Sequence, residues 1–361
     1  MIVQKLEKID SPLAILHEIP TTFFSKIEKS KKFDDNLFPT WVKTAFSNKT
    51  ALRKKFELVY NKYKAIKSKK VRDKILKAFS DINKIEHLCK KDLTYEVISI
   101  KELPPEIQDE ISNTFLYLYN DALNHPPFEQ LYNDTISKAL DRFIKKNGYY
   151  ICPVCGLEGY INLSGQSRIE LDHWLYKDLF PFTAVNFDNL IPLGDKCNSR
   201  PAKGTKNVLL DEAEVNRIVT YYPYTENKSV ALSFLFKTEP TINSIQDDQW
   251  TFTIEPNDNS EKEIFDNWQS TFNIVIRYED FFRKVIFECW ENNYKSFVTE
   301  NPLMNHATTV DELKQNLLAW KSTFQVKSYI GAMLYRIFID YLVNSASNAY
   351  LDSLCRNFQR P

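Results

Sequence analysis

Nine residues between Cys152 and Lys203 have types and spacings that could do chemistry together. Asp172 and His173 are adjacent in Leu171-Asp172-His173-Trp174, Asn189 lies in Asp188-Asn189-Leu190-Ile191-Pro192, and Asn198 lies in Lys196-Cys197-Asn198-Ser199-Arg200, with Lys203 just beyond. Neutral imidazole is the side chain best poised to take a proton near neutral pH. Carboxylate and amide oxygens are hard donors that suit Mg²⁺ or Mn²⁺. Cys152-Pro153-Val154-Cys155 and Cys197 add thiols, which suit zinc. A base, a cation and a scaffold holding both beside one phosphate are what phosphodiester cleavage requires.

The elements that must position these groups are short. Arg168 to Trp174 reads as a strand, on which Asp172 and His173 point to opposite faces; a bend after His173 would bring both to one site. Asn189 to Leu193 reads as a second, apolar strand. Asp195 then opens a short helix as its N-cap and presents Asn198 from the first turns. The expected unit is strand, strand, helix, closed around a cation.

The order and separation of these signals from Cys152 to Gly204 resemble the HNH, or ββα-metal, endonuclease family. The resemblance implies that His173 is the general base, that Asp172 and Asn198 are ligands of Mg²⁺ or Mn²⁺, and that Asn198 stands where many relatives carry the last His. It implies that Asn189 braces the loop carrying the base, and that Arg200 and Lys203 stand where a cation could hold the phosphate. Many HNH proteins also hold a structural zinc with two Cys-x-x-Cys pairs. Here Gly194 stands where the fourth cysteine would be, so zinc on Cys152, Cys155 and Cys197 needs a ligand from elsewhere, with Asp195 or His125 as candidates. An empty remnant of that site is the other reading.

Six of the seven glycines, Gly148, Gly156, Gly159, Gly165, Gly194 and Gly204, fall in or beside this stretch, so the rest of the chain should be mostly helix. Phe56, Val59, Tyr63 and Ile66 recur at helical spacing, as do Val71, Ile75, Phe79 and Ile82, and then Tyr132, Ile136, Leu140 and Phe143 before an Asn147-Gly148 stop. Pro104-Pro105 and Pro126-Pro127 should mark turns. Val230, Leu232, Phe234 and Phe236, then Trp250, Phe252 and Ile254, alternate as an antiparallel pair. Ile264, Trp268 and Phe272, then Tyr278, Phe282, Ile286 and Trp290, and the run from Tyr329 to Val343 are helical again. Asn267-Trp268 through Arg277-Tyr278 is similar to a carboxy-terminal segment of bacterial HNH defence proteins.

The expected fold is therefore α+β: mostly helical, with an embedded ββα-metal (HNH) module and a small β hairpin after it. The expected boundaries are a helical region at 1–147, the module at 148–210, and a hairpin followed by helices at 211–361.

The 361-residue chain carries 47 basic and 47 acidic residues, yet residues 53–77 hold eleven basic against two acidic, a local balance of +9. A basic stripe on a helical pair fits phosphate-backbone binding or a solvated face. No apolar run is long enough for a membrane span, nothing at the amino terminus resembles a signal peptide, and no glycine-rich phosphate loop is present. Cys89, Cys289 and Cys355 read as buried free thiols. A cytoplasmic protein that does not hydrolyse nucleotides is expected. Its partner is nucleic acid, DNA more than RNA, and a dimer would suit two nicks on a duplex.

The resemblance to stand-alone HNH proteins implies an anti-phage effector working beside an ATPase or sensor. Two alternatives stay open: a binding module that has lost cleavage, with Gly194 and the helix-ending Pro201 as its marks, and a partner-binding scaffold.

Overall fold

The computed structural model describes residues 6–43, 51–121, 134–159, 170–211, 213–225, 232–236, 252–256 and 258–359. Its N-terminal helices are α1 (Glu18–Ile27), α2 (Ala51–Ala65), α3 (Lys69–Ile82), α4 (Ile85–Cys89), α5 (Pro105–Asn120) and α6 (Ile136–Asn147). The expected periodicity is what these helices bury: Phe56, Val59 and Tyr63 from α2, and Ile75, Phe79 and Ile82 from α3. Ile66 lies one residue past α2, and Tyr132, Pro126 and Pro127 fall outside the described residues. The Pro104-Pro105 pair starts α5, with Pro105 at the first helical position, where its missing N–H costs nothing. Gly148 ends α6 in the left-handed conformation, φ +64°, that a C-terminal cap favours.

The middle of the chain makes strands β1 (Glu170–His173) and β2 (Leu190–Leu193), followed by the one-turn helix α7 (Asp195–Asn198). β1 and β2 pair antiparallel, with Asp172 opposite Ile191 and His173 opposite Leu190. Asn189 is not in the strand; it closes a 3-10 turn, Phe187–Asn189, because its side chain is spent on the loop described below. Arg168 lies outside the described residues. β3 (Leu232–Phe236) and β4 (Phe252–Pro256) form a second antiparallel pair, as the alternation predicts, with Val230 and Trp250 outside the described residues.

The C-terminal helices are α8 (Lys262–Phe272), α9 (Ile274–Phe281), α10 (Glu288–Glu300), α11 (Val310–Thr323), α12 (Ala332–Asn344) and α13 (Asn348–Phe358), with a π-helical stretch, Phe282–Phe287, between α9 and α10. α12 starts three residues later than the apolar run suggests, because Gly331 in front of it is left-handed at φ +72°. The described residues are thus mostly helical, with two small antiparallel sheets, which is the α+β class expected.

Both helical regions grip the β1–β2 segment. Phe182, from the loop between the strands, packs on Phe24 of α1, Phe79 of α3 and Phe115 of α5 at ring separations of 5.3, 5.5 and 5.2 Å. On the far side of that segment, Trp174 meets Tyr221 and, on α8, Phe272, while Tyr222 and Tyr224 donate to the carbonyls of Asp188 and Leu190. One continuous apolar cluster runs from Leu6 to Phe358 through these contacts.

Phe182→Ala would empty an aromatic slot and is expected to cost about 3 kcal/mol or more, read by urea denaturation. A loss below about 1 kcal/mol would show that this anchor is dispensable.

Candidate functional site

β1 ends at His173, and the chain bends at Trp174–Leu175 as expected. The loop that follows is held by Asn189, which is fully buried. Its amide oxygen accepts from Leu175 N at 2.7 Å, and its nitrogen donates to Leu175 O at 3.1 Å and to Thr183 Oγ1 at 2.8 Å. Both amide protons and one oxygen lone pair are used, so its burial costs little. The loop then returns Ala184 O to His173, 2.9 Å from Nε2.

A carbonyl only accepts, so Nε2 carries the proton and Nδ1 is the basic nitrogen. The imidazole is 4% exposed and lies edge-on to Tyr119 of α5 at 4.3 Å, while Tyr119 Oη donates to Leu171 O. Burial, opposed by the Ala184 hydrogen bond, pushes the His173 pKa down to about 3, so the ring is neutral at pH 7.

Asp172 faces Lys203, whose ammonium is 2.6 Å from Oδ2 and whose side chain is 1% exposed. The Asn198 amide lies 2.9 and 3.0 Å from the two Asp172 oxygens. With its nitrogen toward the carboxylate it donates to both oxygens; with its oxygen there, three oxygens converge. That spacing matches neighbouring ligands of an octahedral Mg²⁺, about 3 Å apart for bonds of about 2.1 Å. Only the nitrogen-first orientation pairs a donor with acceptors, so offering oxygens to a cation would require the Asn198 amide to turn, beside an Asp172 Oδ2 already paired with Lys203. Lys203 sits in the interior on Asp172, not at the surface. Arg200 is exposed and donates to Thr205.

The sulfur cluster meets α7 at Cys197 and, through Glu158, at Lys196 N. Cys152 Sγ, Cys155 Sγ, Cys197 Sγ and a Glu158 carboxylate oxygen all fall within 4.8 Å of one another. One metal ion could reach all four. The fourth potential donor within reach is Glu158; Asp195 is exposed at the first position of α7, and His125 lies outside the described residues. Asp195 is not the N-cap. Gly194 holds that position, and the Lys196 N–H that a capping side chain would take goes to Glu158, 2.9 Å from Oε1 and 3.2 Å from Oε2.

Burial works against charge on all three thiols. Hydrogen bonds from Cys155, Cys197 and the Gly194 backbone nevertheless hold Cys152 well below its usual range, while burial and then Cys152 push Cys155 up, and burial with both other sulfurs pushes Cys197 up. Burial, then the Cys152 charge, raises Glu158. Arg277 of α9 donates to Cys197 Sγ at 3.2 Å and to Cys155 Sγ at 3.3 Å, and Tyr278 donates to Cys155 O. All six cysteines are free; Cys89 and Cys355 are buried as expected, but Cys289 is exposed, one step round α10 from the buried Trp290.

In the basic stripe, Arg53, Lys62, Arg72 and Lys77 are paired with Asp35, Glu110, Glu28 and Asp81. Lys54, Lys67, Lys69 and Lys70 are exposed, with no ion pair among the described residues. Sequence reasoning missed Glu158, Tyr119, Thr183 and Arg277. Glu158 left a signal, as a third potential donor in Cys-x-x-Cys-x-x-Glu spacing, and Arg277 lay in the carboxy-terminal segment singled out by resemblance, with no role assigned to it.

His17, buried against Phe79, shares the low basicity of His173, at about 4. Unfolded imidazoles take a proton near pH 6.5, whereas these two do so only at about pH 4 and about pH 3. Over that interval the unfolded state binds more protons, so their contribution to stability is complete above pH 6.5 and falls as pH falls. Urea unfolding at pH 7 and pH 4.5 is expected to show a loss on the order of 1 kcal/mol or more that His173→Gln removes in part. An unchanged difference would mean that His173 titrates normally in the fold.

Comparison of the chain with protein-family models, with curated proteins and with solved structures finds no match.

Proposed function

We propose that the protein is a metal-dependent endonuclease of the HNH type, hydrolysing phosphodiester bonds of nucleic acid, with DNA favoured. The observation that carries this reading is that β1 bears a neutral His173 imidazole with a fixed tautomer directly after Asp172, whose carboxylate faces the Asn198 amide of α7.

In this reading His173 Nδ1 takes the proton of the attacking water, with Ala184 O holding the ring through Nε2. Asp172 and Asn198 would hold Mg²⁺ or Mn²⁺, which supplies Lewis acidity where charge develops on phosphate and leaving oxygen. Lys203 fixes the direction of Asp172, and exposed Arg200 would meet the phosphate. Lys54, Lys67, Lys69 and Lys70 supply free cations for the backbone of the nucleic acid, a salt-sensitive and sequence-independent attraction.

The sulfur cluster would hold a structural zinc that staples the start of α7. An anti-phage role beside an ATPase or sensor, and a cytoplasmic location, rest on the family resemblance and composition alone. No helix among the described residues is long and apolar enough to cross a membrane.

One observation favours a second reading, a nucleic-acid-binding or partner-binding scaffold without cleavage. Lys203 and the Asn198 amide can together satisfy Asp172 with no metal.

The deciding assay incubates the protein and His173→Ala with plasmid, single-stranded DNA and total RNA, with Mg²⁺, Mn²⁺ or EDTA. The nuclease reading expects metal-dependent cutting that falls by about 10² to 10⁴ in the variant. Cutting in EDTA, or equal cutting by both proteins, would sink it; binding without cutting would favour the scaffold.

A further inference from the structure

A Cβ built on Gly194 would lie 2.0 Å from Glu158 Oε2 and 3.0 Å from Glu158 Cδ. Real Cβ atoms essentially never come so close, so a side chain at position 194 would require the Glu158 carboxylate to move. As it stands, that carboxylate occupies the space that a Cβ at position 194 would fill. That space faces the Cys152, Cys155 and Cys197 sulfurs, since the carboxylate is within 4.8 Å of all three.

Two backbone contacts keep Glu158 there. Its peptide oxygen accepts from Cys152 N at 2.8 Å, which folds the chain after Cys155 back on itself, and its carboxylate accepts from Lys196 N. Gly156 permits that fold with φ +67° and donates to Cys152 O.

From this geometry we infer that Glu158 is the fourth ligand of a three-sulfur, one-oxygen zinc centre, admitted by the absence of a side chain at Gly194. The donor set is chemically complete: thiolates and one carboxylate are ordinary zinc ligands, and a structural site closes with four protein donors. Three thiolates and a carboxylate carry four negative charges against the two positive charges of zinc. Arg277, donating to two of the sulfurs from α9, offsets part of that excess and ties the centre to the C-terminal helices.

The centre also bears on the cation site. Cys197 and Asn198 are neighbours in a single helical turn, so a ligand that fixes Cys197 fixes the placement of Asn198 against Asp172.

The inference rests on reading the cluster as a zinc site, and the test separates the two. Zinc content and affinity are measured on the full chain by metal analysis and chelator competition. Co²⁺ then replaces the spectroscopically silent zinc, because its thiolate charge-transfer absorption grows with the number of sulfur ligands.

The full chain is expected to bind one zinc and to show a three-thiolate Co²⁺ spectrum. Glu158→Gln should weaken zinc by more than the roughly 10- to 100-fold that loss of an outer partner costs. Gly194→Cys combined with Glu158→Ala should restore affinity and raise the Co²⁺ charge-transfer absorption by about one third, because four sulfurs replace three. That rescue distinguishes lost ligation from lost folding. Zinc held equally well by Glu158→Gln, or a double variant that fails to recover, overturns the ligand assignment alone. Absence of zinc from the unaltered chain overturns the centre itself, and neither result depends on cleavage.

Discussion

The buried amide of Asn189 is the constraint on which the candidate active site depends. It lies against the two ends of a loop, Leu175 on one side and Thr183 on the other, and satisfies backbone and hydroxyl groups that would otherwise be stranded in an apolar interior. Leaving such groups unpaired costs on the order of 1–3 kcal/mol each, so this loop has little freedom to open. Ala184 follows Thr183 directly, and its carbonyl sets the His173 tautomer. The chain of cause runs from one amide, through one loop, to one nitrogen. Phe182, in the same loop, extends it to three helices of the N-terminal region.

Charge is arranged around the same unit. The chain has as many acidic as basic residues, yet two of its cations are committed inside the protein, Lys203 to Asp172 and Arg277 to the sulfurs. A buried lysine is tolerated only with a partner, and Asp172 is that partner. The four-residue helix α7 then joins the two anionic clusters, with Cys197 facing one and Asn198 the other. In the proposed enzyme this makes the placement of a cation ligand depend on a metal centre that takes no part in the chemistry.

The sequence revealed most where short-range pattern decides structure. The pair of strands, the bend after His173, the helix ending at Gly148 and the hairpin of Leu232 and Phe252 all follow from alternation, turn residues and helical spacing. Tyr119, Thr183 and Arg277 were not legible, because each meets the site through the tertiary fold, Arg277 from 80 residues beyond Cys197. Lys203 reads as a surface charge by type, and only its pairing with Asp172 explains its burial. Glu158 was hidden for a subtler reason. The missing cysteine at Gly194 was legible, but that Glu158 fills the space it leaves becomes visible only in the fold.

The central claim is that Asp172 and Asn198 form a divalent cation site beside His173. Crystals of the full chain grown with Mn²⁺, measured at a wavelength where manganese scatters anomalously, test it most directly. The account predicts an anomalous peak coordinated by an Asp172 oxygen and by Asn198 Oδ1, with the amide turned so that its oxygen faces the carboxylate. A peak bound elsewhere, or Asp172 still closed by Lys203 and the Asn198 amide nitrogen at saturating Mn²⁺, would contradict it.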